Sequence, residues 1–298
     1  MPILTISSLT KHYGRIHAVD GLSLSVEEGN VYGILGPNGS GKTTTLGMIL
    51  DIIRPDGGSY EWFEGRYGSN PRRNIGALLE TPNFYPYLGA ADNLQIIAHI
   101  KKVANPDIGR LLEIVNLTGR ENDLFRTYSF GMKQRLAIAG ALLGDPDVLI
   151  FDEPTNGLDP KGIAEVRETI IQIAARGKTI IMASHILDEV EKICSHVAIL
   201  KRGKLLATGQ VGAILSNDHW IEAEAADREK LKNLLAGIPQ VVSVADKEHF
   251  CLLTVQPGFE AAELNRLAFQ NGLVLTHLVA RRKSLESEFL EITKEELV

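Results

Sequence analysis

Cysteine is almost missing from this sequence. Cys194 and Cys251 are the only two in 298 residues, and neither stands in a CxxC or other metal-ligand spacing. A disulfide framework and a thiolate metal site are thereby excluded, and each cysteine is expected to be a small buried hydrophobe. Long apolar runs are lacking too. Val148 to Phe151 and Thr179 to Ala183 are among the longest, far short of the ~20 residues that cross a bilayer as a helix. The opening MPILTISSLT has no basic and then apolar signal region, so the expectation is a cytoplasmic chain that spans nothing. Clustered base is scarce. Lys201-Arg202-Gly203-Lys204 and Arg281-Arg282-Lys283 are short and read as solvated turns, while the net charge is -6, so no nucleic acid is expected as a partner. What is present is ordinary globular material, 44% hydrophobic and 23% charged, long enough for one large domain and a smaller one or for two of moderate size.

Short runs rich in Val, Ile and Leu alternate with longer amphipathic stretches. Val31 to Leu35, Val148 to Phe151, Thr179 to Ala183 and Val197 to Leu200 read as parallel strands buried between helices. Pro160 to Arg176 carries Ile163, Val166, Ile170 and Ile173 at helical spacing and stops at Gly177, as an amphipathic helix does. An α/β core follows. Residues 81–145 lack such strands and read as a helical insertion, with helices at Ala91 to Val103, Ile108 to Asn116 and Met132 to Leu143. From 216 to 298 the order is β, α, β, β, α, β, which predicts a small α+β domain of ferredoxin-like type. The expected boundary lies at 215/216, with Ser216 to His219 as the joint.

The string GPNGSGKT at 36–43 follows one apolar strand and precedes a stretch, Thr44 to Ile53, that reads as a helix. Its glycines, Gly36, Gly39 and Gly41, let the loop through Pro37, Asn38 and Ser40 turn with several of its amide N–H groups, proline's position excepted, pointing inward to phosphate oxygens. Lys42 then reaches the β- and γ-phosphates, and the Thr43 hydroxyl ligates magnesium, with Thr44 beside it. The strand Val148 to Phe151 runs into Asp152-Glu153. Asp152 stands where an acid supports magnesium in phosphate-loop enzymes, and Glu153 stands one step farther, where it can polarise an attacking water. The cofactors expected are ATP and Mg2+.

With these residues the chain resembles the ATP-binding subunits of ABC transporters over residues 3 to about 215. The resemblance is carried by Tyr13 in KHYG and by YSFGMKQRLAIAGALLGDPDVLIFDEPTNGLDP. It implies a phosphate-loop NTPase core with a parallel-rich sheet and a helical subdomain. It implies that Tyr13, otherwise as well read as a core aromatic, stacks on adenine, and that Ser129 and Gly131 touch the γ-phosphate. Asp159, in Asn156-Gly157-Leu158-Asp159, would join two such subunits. His185, otherwise a strand-end histidine, would be the switch histidine. It further implies ATP hydrolysis, a second ATP-binding subunit, identical or different, closing on the nucleotide, and a separate transmembrane permease with this chain peripheral on the inner membrane face.

Three positions depart from the family pattern: Phe130 and Met132 in the signature, and Glu80 in IGALLETPNF where a glutamine is usual. Glu80 is either a magnesium and water contact that couples nucleotide to the helical region, or a solvated loop acid. The run from Glu80 to Pro86, with Tyr-Ser-x-Gly-Met, is similar to the bacitracin and lantibiotic self-protection branch, which implies export. Phe84, Tyr85 and Tyr87 are either core filling or a surface for the permease. Leu285, Phe289 and Ile292 share one helical face in the tail, which reads as packing. Two other functions compete. A soluble relative acting on ribosomes or DNA would carry two phosphate loops or long coiled coils, and this sequence has one loop and no sustained heptads. A slowly hydrolysing regulatory subunit draws on Phe130 and Glu80, against Glu153 and His185.

Overall fold

The computed structural model describes residues 1–298 except 69, 80, 215–218, 257, 283–284 and 295–298, and omits the side chains of 219, 281, 282, 287, 291, 293 and 294. Two compact units result, Met1–Val211 and Gly212–Val298, divided four residues before the expected boundary.

The first unit opens with two strands that sequence reading missed, β1 (Pro2–Tyr13) and β2 (Ile16–Glu27). They are followed by β3 (Val31–Leu35), α1 (Lys42–Ile49), β4 (Gly57–Trp62) and β5 (Ile75–Leu78). The helical segment holds α2 (Ala90–Lys101), α3 (Ile108–Ile114) and α4 (Phe130–Leu142). Then come β6 (Val148–Asp152), α5 (Pro160–Ala174), β7 (Thr179–Ser184), α6 (Leu187–Ile193), β8 (His196–Lys201) and β9 (Lys204–Gln210), and the short α7 (Val211–Ile214) begins at the division between the units.

Six strands form one sheet in the order β5-β6-β7-β3-β8-β9, parallel except for the last pair. Strands β2-β1-β4 form a separate antiparallel sheet. Leu46, Met48 and Ile49 of α1 share one buried cluster with Leu4, Leu9 and Trp62 of the antiparallel sheet and with Ile34, Ile150 and Ala183 of the large sheet. The opposite face of the large sheet is covered by helices: a Cβ at Gly33 would lie 2.7 Å from Val190 of α6, and one at Gly76 would lie 2.2 Å from the Ala141 carbonyl of α4. Strands covered on both faces must be apolar throughout, which is why β3, β6 and β7 are continuous hydrophobic runs.

Helix α1 is shorter than the expected Thr44 to Ile53. Asp51 turns left-handed at φ +60°, and the amides of Ile52 and Ile53 both donate to the Gly47 carbonyl, which ends the helix.

The second unit contains β10 (His219–Ala225), α8 (Arg228–Ala236), β11 (Val241–Asp246), β12 (Cys251–Val255), α9 (Ala261–Gln270), β13 (Leu275–Arg282) and α10 (Leu285–Lys294). Its antiparallel sheet has the order β11-β12-β10-β13. The two inner strands, β12 and β10, come from the second and the first β-α-β segment of this unit, as in a split β-α-β arrangement. Leu231, Leu235 and Leu264 of the helices pack on Ile221, Cys251 and Leu253 of the sheet.

Candidate active site

The phosphate loop leaves the C-terminal end of β3, which lies between β7 and β8. Glycine is required at its tightest point: Gly41 has φ +104°, and a Cβ there would lie 2.3 Å from the Ala18 carbonyl oxygen of β2, so both the backbone angle and the space exclude larger residues. At Gly36 a Cβ would meet Ser40 Oγ at 2.3 Å. Pro37, Asn38 and Gly39 are exposed at the rim. The Ser40 amide donates to the Pro37 carbonyl at 3.1 Å, while Ser40 Oγ is buried with no hydrogen bond among the described residues. Among the described residues no side chain caps the first turn of α1, so the positive end of that helix is left to the loop.

The turn between β8 and β9 braces the loop. Gly203 is buried, its amide donates to the Ser40 carbonyl at 3.0 Å, and its own carbonyl accepts from the Asp20 amide at 2.9 Å. The sequence reading of Lys201 to Lys204 as a solvated turn is corrected at this residue. A Cβ on Gly203 would lie 2.7 Å from the His17 carbonyl, and φ is +80°, so the glycine permits the close approach.

Lys42 begins α1 and is buried. Its ammonium donates to the Gly36 carbonyl at 2.8 Å and lies 3.5 Å from Glu153 Oε1. Glu153 Oε2 in turn meets His185 Nδ1 at 2.8 Å and accepts from the His185 amide at 3.3 Å. One carboxylate therefore bridges groups at the ends of two other strands. The neighbouring order β6-β7-β3 brings them to the same carboxyl edge of the sheet, where α/β folds place ligands. Glu153 is itself left-handed, φ +49°, with its amide on the Ala183 carbonyl at 3.0 Å. Non-glycine residues hold that conformation only where the surroundings enforce it.

Asp152 is buried at the end of β6, Thr43 is exposed in the first turn of α1, and Thr44 beside it is half-buried. A hydroxyl and a carboxylate form an all-oxygen donor set that suits a hard cation such as Mg2+. The orphaned Ser40 hydroxyl and the glycine-lined turn likewise fit a phosphate. Tyr13 ends β1 on the hairpin whose second strand touches Gly41. It is 49% exposed, with the Lys11 ammonium 5.6 Å above its ring, which leaves a large part of an aromatic surface open to a ligand. Glu80 lies outside the described residues.

A second group gathers elsewhere on the unit. Ser129 caps α4 by accepting from the Met132 amide at 3.2 Å, and Asp159 caps α5 by accepting from the Gly162 amide at 2.8 Å. Both helix starts open on one cavity of about 520 Å³. Phe130 and Gly131 also line it, and no phosphate-loop residue does. Phe130 is 40% exposed with its ring against Gly157, so the side chain that departs from the family pattern stands at the cavity surface.

Several residues without an assigned role in the sequence reading connect these groups. Gln134, one turn after Ser129, is buried and donates to the Pro154 carbonyl at 3.1 Å, next to Glu153. Arg135 donates to the carbonyls of Val115 and Asn116 at 2.9 and 2.7 Å and pairs with Glu165 at 3.2 Å; burial lowers its pKa. At the other end of α4, Lys101 donates to the carbonyls of Gly140, Ala141 and Leu143. Its chain is exposed, but its ammonium is withdrawn among those carbonyls, and desolvation lowers its pKa from 10.5 to about 8. Asn93 binds the backbone of Tyr85, Leu88 and Gly89, which leaves Tyr85 and Tyr87 exposed while Phe84 packs on Phe125 at 5.0 Å between centroids. Gln134 and Arg135 stand inside the quoted YSFGMKQRL block, and their long polar side chains at apolar helix positions are a further sequence signal.

The family model described as "ABC transporter" matches residues 19–156. The chain is 38% identical to the bacitracin transport ATP-binding protein BcrA of Bacillus licheniformis over 97% of both chains. It is 33% identical to the Nod factor export ATP-binding protein I of Ralstonia nicotianae over 99% of this chain and 95% of that one. Among solved structures, an ATP-binding subunit of an ABC transporter is 29% identical with a TM-score of 0.63, covering 71% of this chain and 91% of its own. A dimeric ATP-binding cassette in a post-hydrolysis state, bound to ADP and Pi, is 25% identical with a TM-score of 0.61, covering 70% and 98%.

Proposed function

Since the chain belongs to the ATP-binding subunits of ABC transporters, an ATPase family, we propose that hydrolysis is carried out at the edge where Glu153 meets Lys42 and His185, and that it drives an exporter. The observation that carries this reading is the single carboxylate held between a phosphate-loop lysine at 3.5 Å and a histidine at 2.8 Å. The loop amides and the Ser40 hydroxyl would take the phosphate oxygens, and Lys42, which now spends its ammonium on the loop's own carbonyls, would transfer it to the β- and γ-phosphates. Glu153 then orients and polarises the attacking water, while His185 fixes the carboxylate from its other oxygen. Thr43 and Asp152 would hold Mg2+, which supplies charge neutralisation on the phosphates. Tyr13 would stack on adenine.

Ser129, Gly131 and Asp159 lie on a cavity apart from the loop, so their part in the reaction requires a second ATP-binding subunit whose phosphate loop faces them. Nucleotide then holds two subunits together, and cleavage removes that hold. Among the described residues no helix is long and apolar enough to cross a membrane, and a separate permease at the inner membrane face completes the assembly. The hollow of about 310 Å³ beside Phe84, Tyr85, Ile97 and Ile100 is the surface that suits it. Export follows from the names of the relatives, bacitracin transport and Nod factor export.

The test is the Glu153→Gln chain at saturating ATP and Mg2+, with and without the permease, followed by sedimentation and phosphate release. The expected result is a nucleotide-dependent dimer with hydrolysis reduced by ~10²-fold or more, the range for loss of a general base. A variant that stays monomeric in both settings refutes the shared site. Phe130 at the cavity surface favours one second reading, a slowly turning regulatory subunit, and a wild-type turnover no faster than that of Glu153→Gln would establish it.

A further inference from the structure

The β1–β2 hairpin carries a constellation that nucleotide chemistry does not use. His12 and His17 are direct cross-strand partners with ring centroids 4.1 Å apart. With Asp20 they form a group whose ligand atoms all lie within 4.8 Å of one another. Both histidines are exposed and Asp20 is half-buried, so core packing does not account for their convergence. The strand is fixed where the ligands sit: the His12 amide donates to Asp56 Oδ2 at 2.7 Å, and Asp56 is held in turn by Lys11 at 2.9 Å. The Asp20 carboxylate has a long contact, 3.7 Å, with the exposed Lys204, which a metal cation can replace.

Two imidazoles and one carboxylate suit Zn2+, Ni2+ or Cu2+ and not the all-oxygen preference of Mg2+ or Ca2+. The location gives the group a consequence. The Asp20 amide donates to Gly203, the Gly203 amide donates to Ser40, and the Ala18 carbonyl rests against Gly41. The hairpin is thus linked through two hydrogen bonds to the phosphate loop, while Tyr13 follows His12 directly. We propose that His12, His17 and Asp20 bind one divalent transition-metal ion of the zinc class, which fastens the Tyr13 hairpin and raises nucleotide affinity. The affinity half rests on Tyr13 as the adenine platform. A hairpin ordered before nucleotide arrives loses less conformational freedom on binding it.

The untagged full chain, free of nucleotide, is titrated with Co2+ by visible ligand-field absorption and with Zn2+ against a chromophoric chelator. One ion per chain is expected, weakened at least ~10-fold in His17→Ala and in Asp20→Asn, since even changes outside the ligand set weaken metal sites that much. His17 is exposed and Asp20→Asn keeps the side chain's size at its half-buried site, so both variants are expected to keep the fold, which circular dichroism verifies. An ion held equally well by both variants, an ion lost only in His185→Ala, or no ion at all overturns the site. In a second arm a fluorescent ATP analogue is titrated in Mg2+ with and without Zn2+: several-fold tighter binding is expected in the wild type and none in His17→Ala, and an unchanged wild type overturns the fastening. Tyr13→Ala separates the two readings. Undiminished nucleotide affinity there refutes the adenine platform, while the Co2+ titration still decides the metal site.

Discussion

At the phosphate-loop edge the charged groups are spent on one another: Lys42 on two loop carbonyls and Glu153, and Glu153 on His185. At the Ser129 cavity the polar side chains are spent on their own helix starts, and the surface between them stays open. The first arrangement is complete within one chain and nearly closed by glycine geometry. The second offers two capped helix N-termini to something outside it. On the proposed reading, in which both places act on one triphosphate, such a division lets the reaction be gated by bringing the halves of two chains together. The contrast also explains why substitutions at the two places should fail differently.

The largest difference is expected between two glycines. In Gly41→Ala the new methyl meets a backbone carbonyl at 2.3 Å in a left-handed conformation, and strain of ~1–3 kcal/mol in the binding-competent loop lowers nucleotide affinity about 5- to 160-fold. In Gly131→Ala the methyl meets Gly162 at 3.5 Å and Leu158 at 3.8 Å, ordinary contacts. Single-chain nucleotide binding and the denaturation midpoint should stay at wild-type values there, and only ATP-driven dimerisation should fail. Equal loss of monomer binding in both variants would erase the distinction.

Gln134 ties the two halves, so Gln134→Leu probes the tie. Its amide is the donor to the Pro154 carbonyl beside Glu153, and leaving a buried acceptor unpaired costs about 1–3 kcal/mol. Chemical denaturation should show that loss, together with slower hydrolysis at unchanged nucleotide affinity. Smaller again are the caps: Ser129→Ala and Asp159→Ala should each lower stability by ~1 kcal/mol, with the phosphate-loop affinity untouched.

How much of this was legible beforehand follows from which residues signal locally. The phosphate loop, Asp152-Glu153 and strands β3, β6 and β7 are legible because a double-covered parallel strand is an unbroken apolar run and the loop is a fixed glycine string. The antiparallel sheet was not read. In β2 the buried residues Val19, Leu22, Leu24 and Val26 break their alternation once, and the β1–β2 pairing shifts register at several points, so the period-two signal is interrupted. The meeting of Lys42, Glu153 and His185 depends on strand order, and that of His12 with His17 depends on hairpin register. Neither quantity is written in residue type. Gly203 is a further case: its neighbours are charged and exposed, and only the close approach of His17 and Ser40 reveals why it is glycine.

The smallest expected effect tests whether the Ser129 half is mounted rigidly. Helix α4 presents Ser129 at its N-terminus and is gripped at its C-terminal carbonyls by Lys101. Desolvation holds the Lys101 pKa at about 8 in the folded chain against 10.5 when unperturbed. Below the folded value the ammonium is charged in both states and the penalty on the fold is present in full. Between about pH 8 and 10.5 the unfolded chain binds the extra proton, so this residue's contribution makes stability rise with pH across that window. Denaturation midpoints of the wild type and Lys101→Met, taken from neutral pH upward, isolate the contribution as a difference that grows in favour of the wild type. A flat difference would mean that the ammonium is solvated, and that α4 is held at that end by packing against β5 in place of the lysine.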